Sequence, residues 1–539
     1  MILKPYKKCA TSLLYIKDYY VTYDKKNIIE KTLQIGFFTL LSRVFGFIRQ
    51  MLMARYLATG ITSDAFLTAF RIPNSLRKIF AEGALSAALI PTLVQGVKKD
   101  GKDAASKLVT LSFIVIEVIL LILCAVIWIY ADAVIDFVVP GFSPEQHAPT
   151  VPLLKVLIAY IIFISSSAVL AGGLQAVHQF TIPASAPIIL NIIFIACLIL
   201  CSFYNLPVIY LAYGIIFSGI IQTVLHLTGY FHAGLMILRP DTKTWKNFYQ
   251  VLVKFFPCLI TMSIMEINLL IDGQFASYLK PGSITFISYA ADFMRIPLGV
   301  FAVAFSTILL SHFSRVLVES PKRLSFYLLE SIKMVTWVSL PAALLMGFFA
   351  YDIFYTTYYS PRFTLYDVQQ VSSLLQAFLC GLTFFSLNKI LVNIYYAFHQ
   401  TFIPTLISVC GALINIALNY LFMGSLQAFG LVVATSISAA IQTVLFVVIL
   451  HAYFNFKIHL RAFCNFLMHY LIQLTFVSTV FYGLYWAIIK AIEANTGSYS
   501  HLLLKTFFVW LWVAPLCIIT IAALYLTRRI FCIKIYYLK

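Results

Sequence analysis

Charge is what this sequence has least of. Only 11% of its 539 residues are Asp, Glu, Lys or Arg, against roughly 25% in a soluble domain, so a water-soluble globular fold is excluded. The charges are also lopsided, with 38 Lys and Arg against 20 Asp and Glu. In a chain that is 61% hydrophobic, such a surplus belongs in cytoplasmic loops, not on a nucleic-acid-binding face. The ten cysteines form no CxxC pair and no His/Cys metal spacing. They fall mostly inside apolar runs, as at Cys124, Cys197, Cys201, Cys258, Cys410 and Cys517, where a thiol acts as a small hydrophobe. Enzyme signatures are missing too: there is no GxSxG, HExxH, P-loop or GxGxxG in a βαβ setting. No cofactor is expected, and no extramembrane stretch is large enough to house a nucleotide.

Long apolar runs are what the chain does have. "LSFIVIEVILLILCAVIWIY" (111–130) is close to the ~20 residues that cross a bilayer, and similar runs recur between residues 30 and 527. They predict an all-α polytopic membrane protein of about fourteen transmembrane helices. The connecting segments alternate in charge. "VKKDGKDAASK" (97–107), "RPDTKTWK" (239–246), "ESPKR" (319–323), "FKIHLR" (456–461) and "RRIFCIKIYYLK" (528–539) are basic. "DAVIDFVVPGFSPEQHAPT" (132–150), "YNLP" (204–207) and "GSLQAFG" (424–430) are acidic or neutral. Because Lys and Arg stay on the cytoplasmic side, both termini are expected there. Residues 1–27, basic but without an apolar signal region, are expected to be a cytoplasmic extension.

The chain also repeats itself. "HQFTIP" begins at His178 and "HQTFIP" at His399, 221 positions later, and "RIP" at 71–73 returns at 295–297, a shift of 224. This predicts two six-helix halves in parallel, at 28–238 and 239–455, with helices 13 and 14 and a basic tail at 456–539. Pro73 and Pro297 occupy matching positions in the repeat, as hinges or as fixed kinks.

Several ionisable residues fall at predicted bilayer depth: Arg43, Arg49, Asp64, Arg71, Arg77, Lys78, Glu82, Glu266, Asp272, Asp292, Arg295 and Lys389. Each costs at least ~2.5–3.5 kcal/mol there and normally faces a bundle interior or aqueous cavity. Guanidiniums at Arg43, Arg49, Arg71 and Arg77 suit a multivalent anion such as a diphosphate, which Arg binds bidentately. Arg55, Lys78 and Asp64, near predicted helix ends, also read as interface anchors or ion-pair partners. Asp272 with Asn415 and Asn419 reads either as a monovalent-cation site, such as for coupling Na⁺, or as interhelical hydrogen bonding.

The stretch "SRVFGFIRQMLMARYLATGITSDAFLTAFRIPNSLRKIFAEGALSAALIPTL" (42–93), continued by "FASYLKPGSITFISYAADFMRIPLGVFAVAFSTILL" (275–310) and "LNKILVNIYYAFHQT" (387–401), resembles the MurJ/MviN lipid II flippases. These belong to the multidrug/oligosaccharidyl-lipid/polysaccharide exporter superfamily. The resemblance implies two halves around a V-shaped cavity, with helices 13 and 14 holding a lipid tail. It also implies transport, not catalysis, of undecaprenyl-diphosphate-linked disaccharide-pentapeptide from the inner to the outer leaflet for cell-wall synthesis. Cell-wall synthesis proteins would be partners, and a cation or the membrane potential would be the energy source. The resemblance places central-cavity arginines on Arg43, Arg49 and Arg77 and helix-2 carboxylates on Asp64 and Glu82. Two departures stand out. Gln50 replaces an acid after the second arginine, and the usual helix-8 arginine falls on Asp292 while an acid falls on Arg295. Arg295 would then supply the displaced guanidinium. Other readings are a flippase for a different lipid-linked oligosaccharide, a drug exporter of the superfamily and, more remotely, a membrane glycosyl- or acyltransferase.

Overall fold

The computed structural model describes residues 25–454, 456–457, 459–496 and 506–538, with side chains from residue 36 onward except at scattered positions. Most of the expected extension at 1–27 lies outside the described residues, as does the Glu82 side chain. The described chain is helical throughout, with no strand.

The first half comprises α1 (Lys25–Leu57), α2 (Ile61–Leu76), α3 (Ser86–Ile129), α4 (Ala131–Val138), α5 (Pro144–Leu157), α6 (Tyr160–Ala176), α7 (Thr181–Tyr204) and α8 (Ile209–His232). The second comprises α9 (Thr242–Ser277), α10 (Ser283–Pro297), α11 (Ala304–Glu319), α12 (Leu324–Phe348), α13 (Ala350–Tyr358), α14 (Leu365–Ala397) and α15 (Phe402–Phe454). Two further helices follow, α16 (Leu460–Thr496) and α17 (Trp510–Thr527). Eleven helical stretches among the described residues are long and apolar enough to cross a membrane. Adding α9, the α2 segment continued to Gly101, and a second arm of α15 is compatible with fourteen passes.

Two expected loops are instead single-residue breaks inside long helices. Gly101 interrupts α3 at φ 79, and Gln427 interrupts α15 at φ 52. Left-handed backbone suits Gly and is strained at Gln. Gly430 relieves the second break, since a Cβ there would lie 2.6 Å from the Phe422 carbonyl oxygen.

Equivalent positions of the repeat share unusual backbone. His178 and His399 are both left-handed, at φ 62 and 57. Pro73 and Pro297 are both followed within about one turn by a π-helical stretch, Arg77–Leu85 and Leu298–Val303. A proline removes a helical N–H and pushes against the preceding turn, and a wider π turn is one way a helix absorbs such a disturbance.

The helix-end contacts that join the halves gather in one region. Arg55 donates to the carbonyls of Thr357 (2.8 Å) and Thr356 (3.3 Å), Arg362 to the carbonyl of Tyr56, and Thr59 to Asp367 (2.5 Å). Gln274 donates to the Phe137 carbonyl, and the Gly141 amide to Ser277. At Gly141 the halves meet so closely that an added Cβ would fall 2.6 Å from the Tyr278 backbone nitrogen.

Elsewhere, Asp241 caps α9 through the Thr244 amide and takes Lys107 at 2.8 Å. The Lys107 ammonium and then Thr244 hold its carboxyl below the usual carboxylate range.

Gly141→Ala is expected to cost about 1–3 kcal/mol, the usual penalty for forcing atoms into a packed contact. Gly424→Ala, with nothing within 4 Å of the added methyl, should be close to neutral. Thermal unfolding of the two variants in detergent makes the comparison.

Candidate functional site: a charged central cavity

Between the halves lies a cavity of about 490 Å³. Its charged lining is mixed, with cations at Arg49, Arg71, Lys78 and Arg295 and carboxylates at Glu266, Asp272 and Asp292. Low dielectric makes an unpaired charge costly, and most of these groups are paired. Lys78 Nζ lies 3.2 Å from Glu266 Oε1, and Ser75 donates to Oε2 of the same carboxylate at 2.8 Å. Arg295 meets Asp292 at 2.8 Å. Arg71 donates to Ser288 at 3.3 Å and lies over Gly273, next to Asp272; a Cβ on that glycine would come within 2.4 Å of the guanidinium.

Arg49 differs. It makes no hydrogen bond among the described residues, and its buried Nε has no partner. Its guanidinium sits 5.5 Å from the centre of the Phe194 ring, a cation–π contact that leaves its N–H groups free for an oxyanion. Asp292 is the carboxylate that acts on Arg49, but among the described residues the two form no ion pair, and of the cavity cations Lys78 and Arg295 are the ones held in ion pairs.

The remaining expected residues occupy other places. Arg43 lies in a smaller concavity formed with Ser42, Gln175 and Phe180, next to the His178 turn, and its guanidinium reaches toward Gly299. Arg77 is held by Asn74 Oδ1 through Nε (3.1 Å) and Nη2 (2.9 Å), and of that pair only Asn74 lines the cavity. Asp64 does not line the cavity. It is 1% exposed and accepts from the amides of Gly282 (2.6 Å) and Thr285 (2.9 Å) and from the Thr285 hydroxyl (2.6 Å). That caps the start of α10 across the interface between halves, because a helix N-terminus presents unpaired N–H groups to a carboxylate. Lys78 and Glu266, by contrast, are cavity residues. Lys78 follows Arg71 by seven positions, two turns along one face, and that spacing was the available signal.

The two departures from the family pattern meet in space. The Gln50 amide donates to Asp292, which also takes Arg295. An acid at 50 would face Asp292 as a like charge, so an amide there fits the exchanged helix-8 charges.

The residues of the expected cation site meet: Asp272, Asn415 and Asn419 form one hydrogen-bonded group. Asn419 Nδ2 donates to Asp272 Oδ1 at 3.1 Å. When the Asn415 amide is oriented so that its oxygen accepts from Thr435, its nitrogen lies 2.8 Å from the same carboxylate oxygen. Both amides can then donate to Asp272, while Asn419 Oδ1 is buried without a partner among the described residues, an oxygen of the kind a hard cation takes. No group of three or more His, Cys, Asp or Glu gathers among the described residues.

Comparison with known proteins decides the family. The family model described as "Lipid II flippase MurJ" matches residues 53–528. The chain belongs to the MurJ family. It is a multi-pass bacterial membrane protein and a transporter, not an enzyme. It is 31% identical to the probable lipid II flippase MurJ of Rhizobium tropici over 78% of this chain and 80% of that one. It is also 31% identical to the lipid II flippase MurJ of Burkholderia cenocepacia, over 78% and 83%. Among solved structures, a lipid II flippase MurJ in an inward closed conformation has the same fold, with a TM-score of 0.75 at 24% identity over 93% of this chain and all of that one. An inward-facing multidrug transporter of the MATE family matches at 0.66, with 13% identity over 76% of this chain and 93% of that one. The MurJ fold therefore shares its architecture with the wider exporter superfamily.

Gln50→Asp should set two carboxylates against each other and lower transport about tenfold, equivalent to ~1.4 kcal/mol. Adding Asp292→Arg should recover most of the loss. Transport in a double-mutant cycle, with expression matched, reads the coupling.

Proposed function

We propose that this protein moves lipid II from the inner to the outer leaflet of the bacterial inner membrane by alternating access, with both termini cytoplasmic. Family membership supports the substrate. The observation that carries the reading is Arg49, a guanidinium with no hydrogen bond or ion pair among the described residues, facing a cavity in which Lys78 and Arg295 are already held in ion pairs. A diphosphate entering the cavity would find Arg49 and Arg71 outside any ion pair among the described residues, and Lys78 and Arg295 that can be drawn from their carboxylates. Arg43, near the His178 turn, would meet the headgroup on its way in.

The region where the halves join supports a direction. By the charge alternation of the loops, the residues joined there, 55–64, 137–141, 274–285 and 356–367, belong on the outer side. The Asp64 cap, the Arg55 contacts and the Gly141 contact would then seal the outer end, leaving the cavity to open inward. Release to the outer leaflet requires those bonds to break and the inner end to close. The matched prolines, π-helical stretches and left-handed histidines favour two repeated halves that move about the cavity. The lipid tail would stay in the bilayer beside α16 and α17.

The test is complementation in a bacterium whose own lipid II flippase can be shut off, with outer-leaflet lipid II as the readout. Wild type should restore it, and Arg49→Ala should lower it by about tenfold or more, since hydrogen bonds to charged groups contribute ~1.5–3 kcal/mol. Failure of a well-expressed wild type would overturn lipid II as the substrate. Full activity in Arg49→Ala would overturn the anion site.

Asp64→Ala should act differently, leaving buried donors on α10 unsatisfied at roughly 1–3 kcal/mol each. It should weaken the outer seal and raise labelling of a cysteine placed at Ser288 by an impermeant outer-side reagent.

A further inference from the structure

Away from the central cavity, the first half contains a second ionisable group that transport through the cavity does not use. Glu117 is the one charged residue in the run 111–130. It lies midway along the second arm of α3 and is 7% exposed. Among the described residues it has no ion-pair partner, and its Oε2 has no hydrogen-bond partner. The facing helix, α6, presents three consecutive serines. Ser166 Oγ is 2.9 Å from Glu117 Oε1 and also 2.9 Å from the Ile162 carbonyl oxygen. The neighbouring Ser165 Oγ is buried and makes no hydrogen bond among the described residues.

Counting hydrogens determines the protonation state that satisfies this geometry. The Ser166 hydroxyl carries one hydrogen and sits between two acceptors. If it goes to the Ile162 carbonyl, the usual i−4 bond of a helical serine, the second contact needs its hydrogen from the carboxyl. A protonated Glu117 donates to Ser166 Oγ, and both contacts become hydrogen bonds. An ionised Glu117 would compete with the carbonyl for that hydrogen and bury an uncompensated charge at bilayer depth. The other titratable groups around the seam offer no countercharge. Cys124, seven residues on along α3, donates its thiol to the Ile158 carbonyl. His226 on α8 is buried, with Nδ1 2.9 Å from Ser167 Oγ and 2.8 Å from the Gln222 carbonyl oxygen.

We propose that Glu117, with Ser165 and Ser166, forms a proton-binding site in the first half, separate from the central cavity, whose proton is exchanged when the α3–α6 seam opens during transport. The π-helical stretch Arg77–Leu85 connects it to the cavity: it continues the cavity-lining α2, runs on into the first arm of α3 and packs against α6. A movement of α2 that loosens the seam would admit water to Glu117 and release its proton. Conformations with the seam closed would retain it.

Infrared spectra of the full chain in phospholipid bilayers test the protonation without requiring transport. At neutral pH, wild type minus Glu117→Gln should contain a carboxylic-acid C=O band, and Ser166→Ala should shift that band by removing its acceptor. No such band would mean an ionised Glu117 and overturn the site. Lipid flipping in proteoliposomes tests the exchange. With the electrical potential clamped, a pH gradient should change the wild-type rate several-fold, and Glu117→Gln should flatten that response. An unchanged response in Glu117→Gln would overturn the coupling. If sodium, not the pH gradient, changed the rate and Glu117→Gln abolished that effect, the site would hold a metal cation and the proton assignment would be wrong.

Discussion

The whole arrangement depends on the cost of holding charge where lipid would otherwise be. A charge at bilayer depth costs several kcal/mol unless a partner or water compensates it, and here the partners come mainly from the opposite half. Lys78 of the first half meets Glu266 of the second, Gln50 meets Asp292, and Arg71 lies over Gly273. The same groups that make a cavity tolerable inside a membrane therefore hold the halves together. A substrate anion that draws the cations away would loosen those cross-links as it binds, coupling occupancy to motion.

Asp64 and Arg49 show how similar residues take opposite roles. Both are ionisable and lie at the predicted depth of neighbouring helices. Asp64 is fully engaged by backbone amides and a hydroxyl of α10, so it acts as a clasp. Arg49 has the face of Phe194 beside it and no hydrogen bond among the described residues, so its donors remain available. What separates a clasp from a binding group is the state of its hydrogen-bonding atoms, not its charge or depth.

The local backbone follows the repeat more closely than the side chains do. A left-handed histidine and a proline followed by a π turn occur in both halves, while the charges around them differ. Backbone irregularities of this kind are set by short motifs, "HQFTIP" and "RIP", that act over a turn or two. Cavity charges answer to whatever stands opposite, so the halves are free to diverge there, as the Asp292, Arg295 and Gln50 exchange illustrates.

The sequence by itself determined the helical membrane architecture, the approximate number of passes and the family. Hydropathy, loop charge and motif spacing are properties of consecutive residues, and the bilayer converts them directly into helices. It also singled out nearly all the ionisable groups that line the cavity. It did not separate Arg77 and Asp64 from the lining, bring Lys78 into it, or mark Glu117 as more than one acid in an apolar run. It suggested Asp272, Asn415 and Asn419 as one group, but not the hydrogen bonds by which they meet. Those outcomes belong to the tertiary structure. Most depend on which atoms of another helix come within about 3 Å, and such pairing, 188 residues apart for Lys78 and Glu266 and 218 for Asp64 and Gly282, leaves no trace in local pattern.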